Sequence, residues 1–331
     1  MSPEVTAAII AASVGVLTLV GTLAAQYFGR RATSRDTRQA LEEQHKQLDR
    51  TLAEQRTRTL NERFATAAEQ LGSDKPAVQI AGAYAMAGLA DDWEENRQTC
   101  VDVLCAHLRM PYEPDPGQDA PEPQRLTFQA IREVRHTAIR VITAHLKRDA
   151  AVSWQGLNFD FTGVVFDGGD FSQAQFSGGE VYFDRAQFCG GEVSFDGAQF
   201  SGSEISFYRA QFRGGEISFR GAQFSDGSVS FNCAKFSGGV VIFYGAQFCG
   251  GEITFCVAWF SGGEVYFNNS QFSGGEVNFS IGRFSGGSVS FRGAQFLGGV
   301  VDFDDPHDWS APPTFPWTDM PPQGVKLPKL A

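Results

Sequence analysis

A chain of 331 residues with 37 Gly, 30 Phe and a net charge of −11 has room for two or three domains. Its acidic balance argues against nucleic acid as a direct ligand. The six cysteines (100, 105, 189, 233, 249 and 256) form no CxxC pair and no zinc spacing, so neither a disulfide framework nor a metal site is indicated, as suits a reducing compartment.

Residues 1–29 read as a membrane anchor. The run 5–28 carries no charge and is dominated by Ala, Val, Leu and Ile, long enough to cross a bilayer as a helix. Arg30, Arg31, Arg35 and Arg38 follow it, against Glu4 alone before it, so the positive-inside rule puts the rest of the chain in the cytoplasm, single-pass at the inner membrane. Residues 30–72 read as a juxtamembrane helix. Leu41, Leu48 and Leu52 outline a heptad seam that His45, Gln55 and Thr59 weaken. A self-associating coiled coil and a solvated spacer both fit. Leu60, Phe64, Ala67, Ala68 and Leu71 form a clearer apolar stripe.

Residues 73–148 read as a small all-α domain loosely similar to HEAT or armadillo units. Its predicted helices lie over 78–90, 99–108 and 132–147, with a Pro- and acid-rich loop over 111–124. Pro76 suits the first turn of the first helix. This domain is expected to abut the repeat that follows and to cover its edge.

Residues 151–304 are one short sentence repeated. Phe recurs at 176, 188, 200, 212, 224, 236, 248, 260, 272, 284 and 296, and again at 183, 195, 207, 219, 231, 243, 255, 267, 279, 291 and 303. A fixed period of twelve signals a solenoid. Val193-Ser194-Phe195 and Ala198-Gln199-Phe200 alternate as half-buried strands do, with Val193, Phe195, Ala198 and Phe200 inward. Asp196-Gly197 and Gly190-Gly191 supply the corners. Three-residue strands cannot stand alone, so they must stack on the next coil and bury columns of Phe, which form the expected core ladder. Residues 305–331 are Pro-rich, with Trp309, Phe315 and Trp317, and read as a tail folded over the last coil.

Val164-Val165-Phe166-Asp167-Gly168 and Ala174-Gln175-Phe176-Ser177-Gly178, with Phe161, Phe166, Phe171 and Phe176 spaced by five, resemble the pentapeptide repeat family. From Phe176 onward alternate sides gain two residues, a departure that gives seven plus five. The resemblance implies a mainly β solenoid, a right-handed quadrilateral β-helix with 24 residues per coil. The alternative is a two-sided coil of 12.

Catalysis needs unlike groups gathered in one place, whereas a repeat supplies one group at every level. Glu180, Glu192, Glu204, Glu216, Glu252, Glu264 and Glu276 occupy one slot of the repeat and are expected to form an acidic stripe that solvates the outer face, or alternatively attracts cations or mimics phosphates. His107 near Cys100 and Cys105 has no standard metal spacing, and the Gly-Gly pairs lack a phosphate-loop signature. No enzyme activity and no cofactor are expected. The expected function is a membrane-anchored, non-catalytic scaffold for an unidentified protein partner, with self-association through the juxtamembrane helix or a solenoid end. The family resemblance implies one alternative, an acidic, DNA-shaped inhibitor of a type II topoisomerase. Residues 151–303 hold 14 acidic against 7 basic side chains.

Overall fold

The computed structural model describes the backbone of residues 3–329 except 114 and 203, and the side chains of the same residues except 3–14, 16, 17 and 28–39. The chain divides into two units, 1–62 and 63–331. Helix α1 spans Pro3–Leu71. In the first unit Leu41, Leu48 and Leu52 are exposed. Most of the apolar run 5–28 lies outside the described side chains; no helix among the described residues is long and apolar enough to cross a membrane.

In the second unit the end of α1 is followed by α2 (Pro76–Asp92), a 3-10 turn (Glu94–Asn96), α3 (Arg97–Arg109) and α4 (Glu122–Leu146). Pro76 sits in the first turn of α2. Helix α4 starts at Glu122, where its sequence suggests 132, because Pro123 falls in the first turn, where a missing N–H costs nothing. The predicted loop over 111–124 loses only its last residues, 122–124, to the helix. Ala83, Met86, Leu89, Leu104, Leu108, Val134, Ala138 and Ile142 form the buried seam of this segment, joined by Ala67 and Leu71.

From Phe159 the chain winds as a parallel solenoid with four sides. Face 1 carries Phe159–Asp160, Glu180–Tyr182, Glu204–Ser206, Ser228–Ser230, Glu252–Thr254, Glu276–Asn278, Val300–Asp302 and Val325–Lys326. Face 2 carries Val165–Phe166, Gln187–Phe188, Gln211–Phe212 and Lys235–Phe236; face 3 carries Gly169–Asp170, Glu192–Ser194, Glu216–Ser218 and Val240–Ile242. Trp259–Tyr266 and Arg283–Ser290 run round the corner and serve both faces. Face 4 carries Gln175–Ser177, Gln199–Ser201, Gln223–Ser225, Gln247–Phe248, Gln271–Phe272 and Gln295–Phe296.

Register decides the coil size. Gln187 pairs with Gln211 and Gln211 with Lys235, a step of 24 residues, so the 12-residue coil is excluded. The opening coil is shorter: Phe159 pairs with Val181, a step of 22, because its first sides are pentads.

The two Phe series become four columns. Phe183, Phe207, Phe231, Phe255, Phe279 and Phe303 stack at 4.6–4.7 Å between ring centroids. Phe195, Phe219, Phe243, Phe267 and Phe291 stack at 4.6–4.8 Å. These two columns meet edge-on, as where Phe183 faces Phe195 at 5.7 Å and 85°. The column through Phe188, Phe212, Phe236, Phe260 and Phe284 lies under face 2, and that through Phe176, Phe200, Phe224, Phe248, Phe272 and Phe296 under face 4. Each buried ring contributes roughly 2–3 kcal/mol of transfer free energy, and aromatic pairing adds about 0.5–1.5 kcal/mol.

Both ends of the stack are covered. At the start, open backbone acceptors of the first coil are met by side chains of the helical segment. Arg109 donates to the Asp160 carbonyl at 2.7 Å, Arg135 to that of Val165 at 2.8 Å and Thr143 to that of Asp170 at 2.8 Å. At the far end, Phe284, Phe291 and Phe303 donate their N–H groups to the carbonyls of Asp308, Thr314 and Lys326. Trp309 lies edge-on to Phe284 at 5.0 Å, Phe315 stacks on Phe291 at 5.5 Å and Trp317 meets Phe296 at 5.1 Å. An unpaired parallel edge is a template for misassembly, and here neither edge is left bare.

Two glycines separate the demands of turning from those of stacking. Gly263 has φ +70°, and a Cβ there would stand 2.6 Å from the Gly239 carbonyl oxygen one level below. Gly245 has φ +66° with open space around it. Gly245→Ala should cost about 1–2 kcal/mol, the left-handed penalty alone, while Gly263→Ala should cost clearly more because the backbone below must move. Urea unfolding of the two variants checks the order.

Candidate functional site

Two places hold side chains that the repeat does not dictate. The first is the junction between helix α4 and the opening coil. Asp167, 7% exposed, accepts from the Tyr112 hydroxyl at 2.6 Å and from Arg132 Nε at 3.1 Å on one oxygen, with His136 Nε2 at 3.3 Å from the other. Arg132 also donates to the Asp167 carbonyl at 3.0 Å. Arg135, buried, lies over the Tyr112 ring at 4.3 Å and donates to the Leu108 carbonyl. Burial alone would raise the Asp167 pKa, but hydrogen bonds from His136 and Tyr112 and the Arg132 charge outweigh it and hold it below the usual carboxylate value. The Tyr112 hydroxyl is pushed up, by burial first and then by its bond to Asp167.

Arg132, His136 and Arg140 stand one helical turn apart and wall a groove of about 610 Å³, whose far wall is Glu192, Ser194 and Asp196 of face 3. A second cleft of about 470 Å³ is lined by Pro111, Tyr112, Pro116, Pro123, Phe128 and Ile131. A further knot ties α2 and α4 to the segment that leads into the first strand: Asp91 accepts from Trp154 Nε1 at 3.0 Å and lies 3.1 Å from His145 Nε2, and the two rings stack at 3.9 Å.

The second place is the outside of the solenoid. The seven glutamates of one sequence slot separate into two columns, because two 12-residue units make one coil. Glu180, Glu204, Glu252 and Glu276 lie on face 1, interrupted by Ser228; Glu192, Glu216 and Glu264 lie on face 3, interrupted by Val240. Several are held by neighbours on their own level. Tyr266 donates to Glu264 at 2.6 Å, Asn278 to Glu276 at 3.3 Å, and Arg220 pairs with Glu216 at 2.8 Å. The Glu180 carboxylate, bonded to Tyr182, raises that phenol to about 12.

Faces 2 and 4 differ from these and from each other. The outward slot of face 4 is Gln at 175, 199, 223, 247, 271 and 295. On face 2 the matching slot runs Gln187, Gln211, Lys235, Trp259, Arg283. Lys235 Nζ lies 4.9 Å and the Arg283 guanidinium 4.7 Å from the Trp259 ring, so the indole is held between two cations. Arg213, Arg209 and Arg185 extend the basic ground, with Arg213 donating to Gln187 at 3.1 Å.

The buried Phe ladder stands where the repeat places it, and the glutamates stand outside it. Cys100 and Cys105 are buried in α3, and burial raises their thiols to about 11 and about 12. Among the described residues no cluster of His, Cys, Asp and Glu has the makings of a metal site. Sequence reasoning missed the Asp167 network and the Trp259 sandwich. The latter had a signal: Lys235, Trp259 and Arg283 interrupt a Gln slot at intervals of 24.

No family model, no curated protein and no solved structure matches this chain.

Asp167 makes stability pH-dependent with a definite sign. A carboxylate depressed in the folded state stabilises above its unfolded pKa, and that contribution is lost as pH falls through the folded value. The urea midpoint of the wild type should therefore drop as pH falls below about 4. Asp167→Asn should be less stable at pH 7 and show a smaller drop across the same window.

Proposed function

We propose that this chain is a membrane-anchored scaffold of pentapeptide-repeat type, a right-handed four-sided β-helix that binds protein partners on the cytoplasmic side of the inner membrane. The observation that carries this reading is the closure of both solenoid ends by the chain's own segments, which leaves four long lateral faces as the accessible surface. A rod closed at its ends grows no further by stacking, so its recognition chemistry belongs to its sides.

Three features support partner binding over chemistry on a substrate. The groups on faces 1 and 3 recur level after level and are braced by same-level neighbours, which suits an extended ligand. The groove between Arg132, His136, Arg140 and the acids of face 3 offers opposite charges on opposing walls. The apolar run 5–28 followed by four arginines supports the anchor and its orientation. The acidic DNA-mimic reading has less support, because face 2 sets a basic column between the two acidic ones, where a duplex is anionic all round.

The test is capture with the full chain as bait from detergent extract, comparing wild type with Glu192→Gln/Glu216→Gln/Glu264→Gln. A scaffold predicts a reproducible partner set that loses members in the variant while far-ultraviolet circular dichroism is unchanged. Identical sets, or no specific partner with either bait, would sink it. Carbonate extraction checks the anchor separately, since a single-pass protein stays in the pellet.

A further inference from the structure

The left-handed corners of the solenoid are filled differently on its two sides: those after face 1 carry Arg185, Arg209 and Cys233 as well as bulkier residues, while those after face 3 are mostly glycine. After each strand of face 3 the chain turns through a left-handed residue, and at four levels that residue is glycine: Gly197, Gly221, Gly245 and Gly293. After each strand of face 1 the same turn is made, but at two successive levels the left-handed residue is β-branched, Val257 at φ +58° and Ile281 at φ +58°. This is the residue type least suited to positive φ. Nothing inside the core recovers the cost, because Ile281 is 39% exposed and Val257 half-buried. Strain kept at a surface position suggests a use for what it displays.

What it displays adjoins the face 2 column. Val257 lies two residues before Trp259, itself 37% exposed, and Ile281 two residues before Arg283 one level on. Together they bring Trp, Val and Ile to one side of the rod, with Lys235 and Arg283 on either side of the indole and Arg213 two levels before it. The face 2 stretches 187–188, 211–212, 235–236, 259–260 and 283–284 hold no acidic residue, although the array as a whole has twice as many acids as bases.

We propose that face 2 is a lipid-contacting surface, and that the solenoid lies with this side against an anionic bilayer. An indole and aliphatic groups beside Lys and Arg match the boundary between headgroups and acyl chains, and each cation gains from the negative surface potential. A second copy of the chain fits less well. Its acidic face 1 answers the cations but offers Ser206, Ser230 and Asn278 to the apolar groups, and two copies of face 2 repel each other. The acidic columns of faces 1 and 3 flank face 2, so electrostatics orients the rod with one side down.

The inference does not require residues 5–28 to span a bilayer, and its test is arranged accordingly. The full-length chain is mixed with vesicles of phosphatidylcholine alone, or with about one-third phosphatidylserine, and lysines are acylated and read by mass spectrometry. Lys235 should label roughly fivefold or more slowly on the anionic vesicles than on the neutral ones, relative to Lys147. About 0.5 M salt should weaken that protection. Arg213→Glu/Trp259→Ser should abolish it while leaving the circular dichroism melt intact. Equal labelling of Lys235 on the two vesicle types overturns the proposal. So does protection of Lys235 by polyglutamate that anionic vesicles fail to reproduce, which would assign the face to an acidic polypeptide. Failure of the anchor alone shows differently: the chain would leave neutral vesicles, yet still sediment with anionic ones through face 2.

Discussion

The stacking of one phenylalanine on the next, at 4.6–4.9 Å along most of each column, is the constraint from which the rest follows. Parallel in-register strands repeat at about 4.8 Å, close to the distance at which aromatic rings stack in parallel. Each level must then deliver the same ring to the same place, or leave a hole in a close-packed column. That requirement fixes what points inward and says little about what points outward. The interior is uniform by necessity, and the exterior is free to differ from level to level.

The same constraint creates a problem at each end, where a rung has a partner on one side only. The two solutions are chemically different. At the beginning, rigid helices bring Arg109, Arg135 and Thr143 to exposed carbonyls, and the buried Asp167 carboxylate gathers Tyr112, Arg132 and His136 behind them. At the end, an irregular tail extends the ladder by imitation. Phe315 takes the next place on the Phe291 column, and Val325–Lys326 adds one more strand to face 1. A charged network suits a junction that fixes the register of a folded segment, and aromatic cover suits a plain termination.

How much of this was legible depended on whether a feature repeats. The Phe spacing and the pentads at Phe161, Phe166, Phe171 and Phe176 carry the solenoid and its four sides, because periodicity is itself the physical signal. The start of α4 at Glu122 was hidden by Pro123, whose composition signal is that of a loop and whose position is that of a first turn. The junction was not legible. Tyr112 and Asp167 lie 55 residues apart and Arg132 and Asp167 lie 35 apart, with no pattern in the chain to join them. The glutamates were legible as exposed but not as two columns, since an interval of twelve says nothing about facing until the coil is known to hold 24.

That doubling of the period is what permits the faces to specialise. Alternate units of the 12-residue sentence fall on opposite sides, so a substitution in every second unit alters one face and spares the other. The Gln slot shows this directly: its six occurrences on face 4 are all Gln, while on face 2 the slot passes from Gln187 and Gln211 to Lys235, Trp259 and Arg283. The left-handed corner shows it again, with glycine at four levels of one side and Arg185, Arg209, Cys233, Val257 and Ile281 on the other. Core packing is indifferent to these exchanges, because the residues concerned point away from the rings. Their concentration on one side therefore reflects what that side meets, and the departures from the repeat carry more information about function than the repeat does.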